Sequence, residues 1–445
     1  CDLTSVEFDG PQYTWTNGRV WQRLDRALVN REWAEQFAVS RVVHLARGRS
    51  DHAPLLIQCG SGRKGTSSFR FLNVWPRHNS FLGIVQEAWG RGGPSHTMSG
   101  FYRKLLGVRD KLRVWNKEVF GHIGNRVADL EKEMRTAELQ YDTERTVASK
   151  IAYHEARATY MHQLAVECGF WRQKSRIKWI QEGDANTAFF HAVVRQRRAS
   201  NYISRIRGPS GQWLTQVEDI KSSAASFFES LFSSDRSIDR HPVLPFDLPQ
   251  VTVGDNEKLL ALPTLTEVRD VVFSICPDSA AGPDGFGSGF YQACWEIIKE
   301  DLVAAVQDYF KGGWLPKGVT STSIVLIPKI QGASQWQDFR PISLCNVSSK
   351  IISKLVSNRL NQLLPRLISP WQSGFVPGRQ IMDNILVTQE HAKELDRRLE
   401  VPNLMLKLDM EKAYDRVEWS FLLFMLRWFG FQEPVVDLLF RLVAN

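Results

Sequence analysis

A chain of 445 residues, 43% hydrophobic and 23% charged, has the composition of two or three folded domains, which excludes disorder throughout, and no apolar run approaches membrane-spanning length. The net charge of +8 at pH 7 points to a polyanionic partner and says nothing of chemistry. The six cysteines, at positions 1, 59, 168, 276, 294 and 345, show no C-x-x-C pair, so reduced structural thiols are expected rather than zinc ligands or a disulfide framework.

The chain starts on Cys1 with no charged-then-apolar leader, and reads as a piece of something longer, expected inside the cell, nuclear or cytoplasmic. Residues 1–59 alternate short apolar stretches with turns: Y-T-W-T-N-G-R from Tyr13, R-L-D-R-A-L from Arg23, V-V-H-L from Val42, and Ser50-Asp51-His52 opening an apolar strand. An acid beside an imidazole at a sheet edge can orient a base or grip a phosphate oxygen; a turn capped by Ser50 or Asp51 is the plainer alternative. The run G-S-G-R-K-G over 60–65 predicts a domain boundary, and glycines at 90–93 break the chain again, so residues 60–100 are assigned to a linker region that holds an aromatic segment.

Residues 101–235 predict a basic helical connector with a hairpin. Val127, Leu130, Met134, Ala137 and Tyr141 alternate three-four spacing, which draws one apolar seam along a helix and suits a helical hairpin or bundle, with a partner helix as the alternative. Over residues 101–207 basic side chains outnumber acidic ones by 21 to 12, an excess as large as the whole net charge. Lys174, Arg176 and Lys178, then Arg195, Arg197 and Arg198, are interleaved with Trp179, Phe189 and Phe190. Such a pattern holds a phosphate backbone while rings stack on bases, or else forms a solvated helix face over an apolar stripe. A turn at Gly208-Pro209-Ser210-Gly211 predicts a β-hairpin, residues 217–232 an amphipathic helix, residues 236–261 a linker, and Thr264 with Glu267 a capping box.

Gly282-Pro283-Asp284-Gly285 predicts a tight turn. Residues 324–329, I-V-L-I-P-K, predict a short buried strand, and F-R-P-I-S-L from Phe339 a second one after a turn. That arrangement would aim Lys329 and Arg340 at one pocket suited to a triphosphate; two surface cations flanking a hairpin are the alternative. Residues 403–409, N-L-M-L-K-L-D, form a run of strand length that delivers Asp409 to its carboxyl end. A carboxylate beside a packed strand costs roughly several kcal/mol unless a cation or donors compensate it, whereas a turn or helix cap would carry it freely. Tyr414, five residues on, can return toward the same pocket or join a core.

Three segments within residues 1–59 resemble the carboxyl-terminal end of the endonuclease/exonuclease/phosphatase fold carried by LINE-type retrotransposons. The resemblance implies catalytic Asp51 and His52 supported by Asp25; that family's early metal-binding Glu and its G-D-x-N segment have no counterpart here. The K-S-R-x-x-W pattern at 174–179 and G-D-x-N-T-x-F-F-H at 183–191 are similar to the connector of plant elements of that kind. The order G-P-D-G, L-I-P-K, F-R-P-I-S-L, Q-x-G-F-x-x-G-R, L-x-L-D-x-x-x-A-Y-D-R resembles the fingers and first palm strand of a non-LTR retrotransposon reverse transcriptase, over residues 262–445.

This second resemblance implies that Asp409 is a metal-binding aspartate with the Met410 carbonyl nearby, that Arg340 and Lys329 hold the incoming triphosphate, and that Tyr414 sits at the sugar. It further implies two Mg²⁺ ions, an RNA template and a DNA target or primer, no membrane, and no specified protein partner. Ala280-Ala281 and Ser348-Ser349 depart from the family's usual residues, and its Y-x-D-D strand is absent from these residues. The expected fold class is α+β: a carboxyl-terminal endonuclease-like sandwich remnant (1–59), linker (60–100), helical connector (101–235), linker (236–261) and the amino-terminal half of a reverse transcriptase domain (262–445). The chain is expected to be a fragment truncated at both ends and inactive alone. The alternatives are a non-catalytic nucleic-acid-binding protein or a phosphoesterase acting on small phosphates.

Overall fold

The computed structural model describes residues 3–6, 8–30, 33, 36–37, 39–48, 50–60, 68–175, 190, 193–194, 197, 201–233, 248–330, 332–393, 395, 404–409 and 413–444. Helix and strand are mixed, and no helix among the described residues is long and apolar enough to cross a membrane. The five described cysteines are free thiols.

The first sixty residues carry β1 (Thr4–Ser5), β2 (Phe8–Asp9), β3 (Trp15–Thr16), β4 (Trp21–Gln22), β5 (Leu28–Val29), β6 (Val39–His44) and β7 (Leu55–Gly60). β6 is central in a three-stranded sheet, parallel to β2 and antiparallel to β7 with Val42 opposite Ile57. β3 and β4 form a hairpin whose turn is fixed by Asn17 Oδ1 accepting from the backbone N–H of Arg19 and Val20, with Gly18 at φ +85°. β1 pairs with β5.

The main core draws on segments far apart in sequence. α1 (Phe81–Gly90) and α2 (Met98–Trp115) are followed by α3 (Ile123–Glu144), α4 (Val147–Ser175), β8 (Ile206–Arg207), β9 (Trp213–Leu214) and α5 (Val217–Phe232). Then come α6 (Val253–Leu260), α7 (Leu265–Ser274), α8 (Ser288–Ala293), α9 (Trp295–Phe310), β10 (Thr322–Pro328), β11 (Phe339–Cys345) and α10 (Val347–Leu360). α11 (Ile381–Lys393), α12 (Trp419–Trp428) and α13 (Glu433–Val443) complete the longer helices. In α2, Met98, Phe101, Leu105, Val108, Leu112 and Trp115 alternate three-four spacing and are all buried. They share one core with Phe69, Phe71 and Trp75, with Ile298 and Leu302 of α9, and with Ile351 and Leu355 of α10. The linker region expected over residues 60–100 thus contributes Phe69, Phe71, Trp75, Phe81, Val85, Trp89 and Met98 to the core, while residues 90–94 are exposed.

Three polar ties fasten this segment. The Phe71 N–H donates to the Gly285 carbonyl (2.9 Å), and a Cβ at residue 285 would lie 2.2 Å from the Phe69 carbonyl oxygen; with φ +82°, the turn at 282–285 admits only glycine there. Asn73 Nδ2 donates to the Pro277 carbonyl and to Asp278 Oδ1 (3.1 and 2.9 Å). Asp301 of α9 accepts from Trp89 Nε1 (2.8 Å), the Ser95 N–H (3.0 Å) and Lys104 Nζ (2.5 Å). Burial pushes the Asp301 carboxyl up, and these donors more than offset it and hold it below its ordinary range.

α3 and α4 form the helical hairpin suggested by the seam. Arg145 takes a left-handed conformation (φ 50°) at the turn, Thr146 and Ser149 exchange side-chain to backbone hydrogen bonds at the start of α4, and Tyr141 stacks on Tyr153 across it. At its base, Gln173 clamps residues 71–73: its Oε1 accepts from the Asn73 N–H (2.9 Å) and its Nε2 donates to the Phe71 carbonyl (3.1 Å). β8 and β9 pair through the turn at 208–211. The linker expected over 236–261 is also corrected where it is described. α6 has a complete capping box between Thr252 and Asp255, and Val251 and Leu259 pack with Phe431, Val435 and Leu363. The box expected at Thr264 is only half formed: Thr264 Oγ1 accepts from the Glu267 N–H, but the Glu267 carboxylate turns to Arg359 of α10, bound through two bonds of 2.8 Å.

Because Leu105 and Leu302 share a core, Leu105→Ala and Leu302→Ala should each cost about 2–5 kcal/mol in the same cooperative denaturant transition. A transition unshifted by Leu105→Ala would separate residues 68–115 from that core. Asp284 is buried, accepts from the Phe286 N–H (2.9 Å), and burial pushes its carboxyl from 3.8 up to about 6. A raised folded pKa gives stability that is fully present below the unfolded value and lost as pH rises through about 6. Asp284→Asn should therefore raise thermal stability at pH 8 by up to about 3 kcal/mol and leave it little changed at pH 4. Melting curves at the two pH values check this.

Candidate functional site

Near the amino terminus, Thr14 is fully buried and its Oγ1 accepts from the N–H of both Leu24 and Asp25 at 3.0 Å, which pins the R-L-D segment beside β3. The Thr14 carbonyl accepts from the Ala53 N–H, and Trp15 bridges His52, so the turn at 50–52 is drawn to the same place. His52 Nδ1 and Asp25 Oδ2 lie 2.8 Å apart, while Asp51 Oδ2 accepts from Trp15 Nε1 (3.0 Å). The structure thus brings Asp25, Asp51 and His52 together at an accessible surface. The hydrogen bond to His52 holds the Asp25 carboxyl below its usual range, against the opposing pull of burial and with help from Thr14. An Asp25 carboxylate accepting from Nδ1–H leaves His52 Nε2 facing outward, the arrangement of an oriented base or phosphate ligand. Thr14 and Trp15 were not singled out by the sequence; the signal was their place in the alternating Y-T-W-T stretch.

In the C-terminal half, β10 and β11 form an antiparallel hairpin with Ile327 opposite Arg340 and Pro328 opposite Phe339. Lys329 follows β10 in a bend, one residue past the last ladder pair, which brings it to the same end of the hairpin as Arg340. Lys329 is held there by its N–H to the Asp338 carbonyl (2.7 Å) and its Nζ to the Gln337 carbonyl (2.9 Å), and Arg340 is exposed. The buried strand expected at 324–329 is corrected: Ile324, Val325 and Ile327 are exposed. Only the end of the opposite face is covered, where Leu326, Trp336 and Phe339 pack on Ile220 and Phe228 of α5 and Trp336 Nε1 donates to Ser223 Oγ.

The strand expected before Asp409 is likewise absent. Residues 404–409 have no regular structure and pair with no strand among the described residues, Leu404 and Leu408 are 80% and 87% exposed, and Asp409 is exposed. Met410 lies outside the described residues. Tyr414 has its backbone in a 3-10 turn, Ala413–Arg416, and its side chain is not among those described. A divalent cation prefers several oxygen ligands, and Asp409 offers one of the right chemistry. Among the described residues no group of three or more His, Cys, Asp or Glu could hold a metal, so these residues do not make up a complete site.

Of the basic cluster, Lys174 has its ammonium over the rings of Phe170 (4.0 Å) and Trp171 (5.1 Å), and Arg197 donates to the Ser175 carbonyl at the end of α4. Arg176, Lys178, Arg195 and Arg198 lie outside the described residues. Arg379, of the Q-S-G-F-V-P-G-R stretch, was given no role by the sequence, and it organises that loop by donating to the carbonyls of Pro365, Ile368, Ser369 and Gln372.

Comparison with known proteins adds the following. Residues 327–445 match the reverse transcriptase (RNA-dependent DNA polymerase) family. The chain is 29% identical over 334 residues to the transposon TX1 uncharacterized 149 kDa protein of Xenopus laevis, covering 74% of this chain and 25% of that protein. It is 28% identical over 162 residues to the retrovirus-related Pol polyprotein from type-1 retrotransposable element R2 of Nasonia vitripennis, 36% of this chain and 15% of the relative. It is 23% identical over 353 residues to the RNA-directed DNA polymerase from mobile element jockey of Drosophila funebris, 76% of this chain and 36% of the relative. The chain thus spans about a quarter of the length of the TX1 protein. Residues 327–445 thus carry a reverse transcriptase domain, and the chain is similar to proteins named for three mobile elements, TX1, R2 and jockey, as the resemblance to a LINE-type, non-LTR retrotransposon polyprotein leads one to expect.

Proposed function

We propose that residues 262–445 serve RNA-templated DNA synthesis, with Arg340 and Lys329 receiving the phosphates of an incoming deoxynucleotide, Asp409 contributing an oxygen ligand to Mg²⁺, and Tyr414 beside the sugar. The observation that carries this reading is the β10–β11 hairpin, whose ladder ends at Pro328 opposite Phe339 and so brings Lys329 and Arg340 to the same exposed end. Arg340 supplies a planar fork for phosphate oxygens and Lys329 a point charge restrained by the Gln337 carbonyl. Reverse transcriptase domains use divalent metals, and among the described residues Asp409 alone does not make up a metal site. Residues 1–59 are read as an endonuclease-like remnant in which His52, oriented by Asp25, faces a DNA phosphate. The partners are an RNA template and a DNA primer or target.

A second reading is favoured by the concentration of basic charge over residues 101–207: a nucleic-acid-binding protein that does not polymerise. The two differ in what Asp409 does.

Arg340→Ala should weaken binding of a fluorescent deoxynucleoside triphosphate by about 10- to 100-fold, the loss of a charged hydrogen-bond pair, with partial recovery in Arg340→Lys. Unchanged affinity would remove Arg340 from the phosphate site. The 445-residue chain should bind single-stranded RNA with affinity falling steeply as salt rises. Deoxynucleotide binding that Mg²⁺ strengthens in the unsubstituted chain but not in Asp409→Ala selects the first reading; salt-sensitive RNA binding with no metal requirement selects the second.

A further inference from the structure

A cleft of about 600 Å³ opens between the end of α7 and the outer face of α10, lined by Ser274, Ile275 and Cys276 on one side and by Lys350, Ser353, Lys354 and Ser357 on the other. Two ammonium groups face it and no carboxylate lines it. Lys350 and Lys354 stand four residues apart on one face of α10, about 6 Å along its axis. This placement works against the helix: like charges four apart repel, and Lys350, the fourth residue of α10, adds positive charge near the positive end of the helix dipole. Helix stability therefore does not account for the pair, whereas a bound anion would relieve both conflicts.

The lysines are also oriented. Lys350 Nζ donates to the Ala280 carbonyl (3.0 Å) and Lys354 Nζ to the Ser274 carbonyl (3.4 Å), which leaves further N–H groups on each ammonium for a ligand. The hydroxyls of Ser274 and Ser353 donate to the Val271 and Lys350 carbonyls of their own helices, so recognition rests on the two cations. Buried Asp284 partly answers the charge of Lys350, which makes Lys354 the stronger contributor to an outside anion.

We propose that this cleft is a phosphodiester subsite, holding the backbone of a single-stranded nucleic acid with Lys350 and Lys354 on neighbouring phosphates. The proposal rests on the reading of the chain as a nucleic-acid-handling protein. Cys276, an exposed thiol on the rim, supplies a built-in reporter, and the exposed Cys59 on β7 serves as its comparator.

The test uses the 445-residue chain and a fluorescein-labelled single-stranded RNA, with binding measured across a salt series and Cys276 alkylation followed by peptide mass spectrometry. Lys354→Gln, a change at the surface, is expected to weaken binding and to lower the slope of log K against log salt by about 0.7, Lys354→Arg to keep both, and RNA to slow alkylation of Cys276 more than of Cys59. If RNA binds but the slope and Cys276 reactivity do not respond, the subsite is overturned and the nucleic-acid reading stands. If the unsubstituted chain binds no RNA, both fail. Protection of Cys276 by inorganic phosphate but not by RNA overturns the proposal in favour of a small-anion site.

Discussion

The contact on which most of this structure depends is the approach of the Phe69–Phe71 backbone to the turn at Gly285. Only a residue without a Cβ lets the Phe71 N–H reach the Gly285 carbonyl at 2.9 Å, since a Cβ there would lie 2.2 Å from the Phe69 oxygen. From that join the geometry propagates both ways. Asn73 carries it to residues 277–278, Gln173 carries it to the base of the α3–α4 hairpin, and Asn346, accepting from the Asp284 N–H at 3.0 Å, carries it to the start of α10. The hairpin that presents Lys329 and Arg340 leads directly into α10, so the candidate phosphate site and the core share this anchor.

Much of the local structure was legible in the sequence because its causes are local. The α3–α4 hairpin follows from its seam, the β8–β9 turn from its glycines and α5 from its amphipathic spacing, whereas the nearness of Asp25 to His52 is implied by the family resemblance alone. The segment 69–100 reads as a linker because glycine runs bracket it, while its apolar partners lie some two hundred residues on, in α7 to α10. No periodicity reveals a partner at that distance. The apolar run at 324–329 suits a buried strand, but composition does not say how many faces of a hairpin are covered. The run at 404–409 has a strand's pattern, yet a strand exists only where another backbone accepts its hydrogen bonds.

The two halves that carry candidate chemistry are also built differently. The Asp25–His52 pair is set by buried Thr14, a hydroxyl that satisfies two backbone donors and so fixes the acid against the imidazole through short-range bonds. Lys329 and Arg340 are brought together at the end of a strand ladder, exposed, on a hairpin that packs through Trp336 and Phe339. One geometry is set by hydrogen bonds at the residue itself, and the other by the end of a paired ribbon on an aromatic footing.

The bare segment 404–409 has a colloidal consequence. A short backbone with unladdered N–H and C=O groups, flanked by Leu404, Leu406 and Leu408 turned to water, is a template onto which the same segment of another molecule can add as a strand. Encounter between two such segments scales with the square of concentration. Dilution thus favours the separate chain, and crowding favours cross-strand clusters nucleated at this segment.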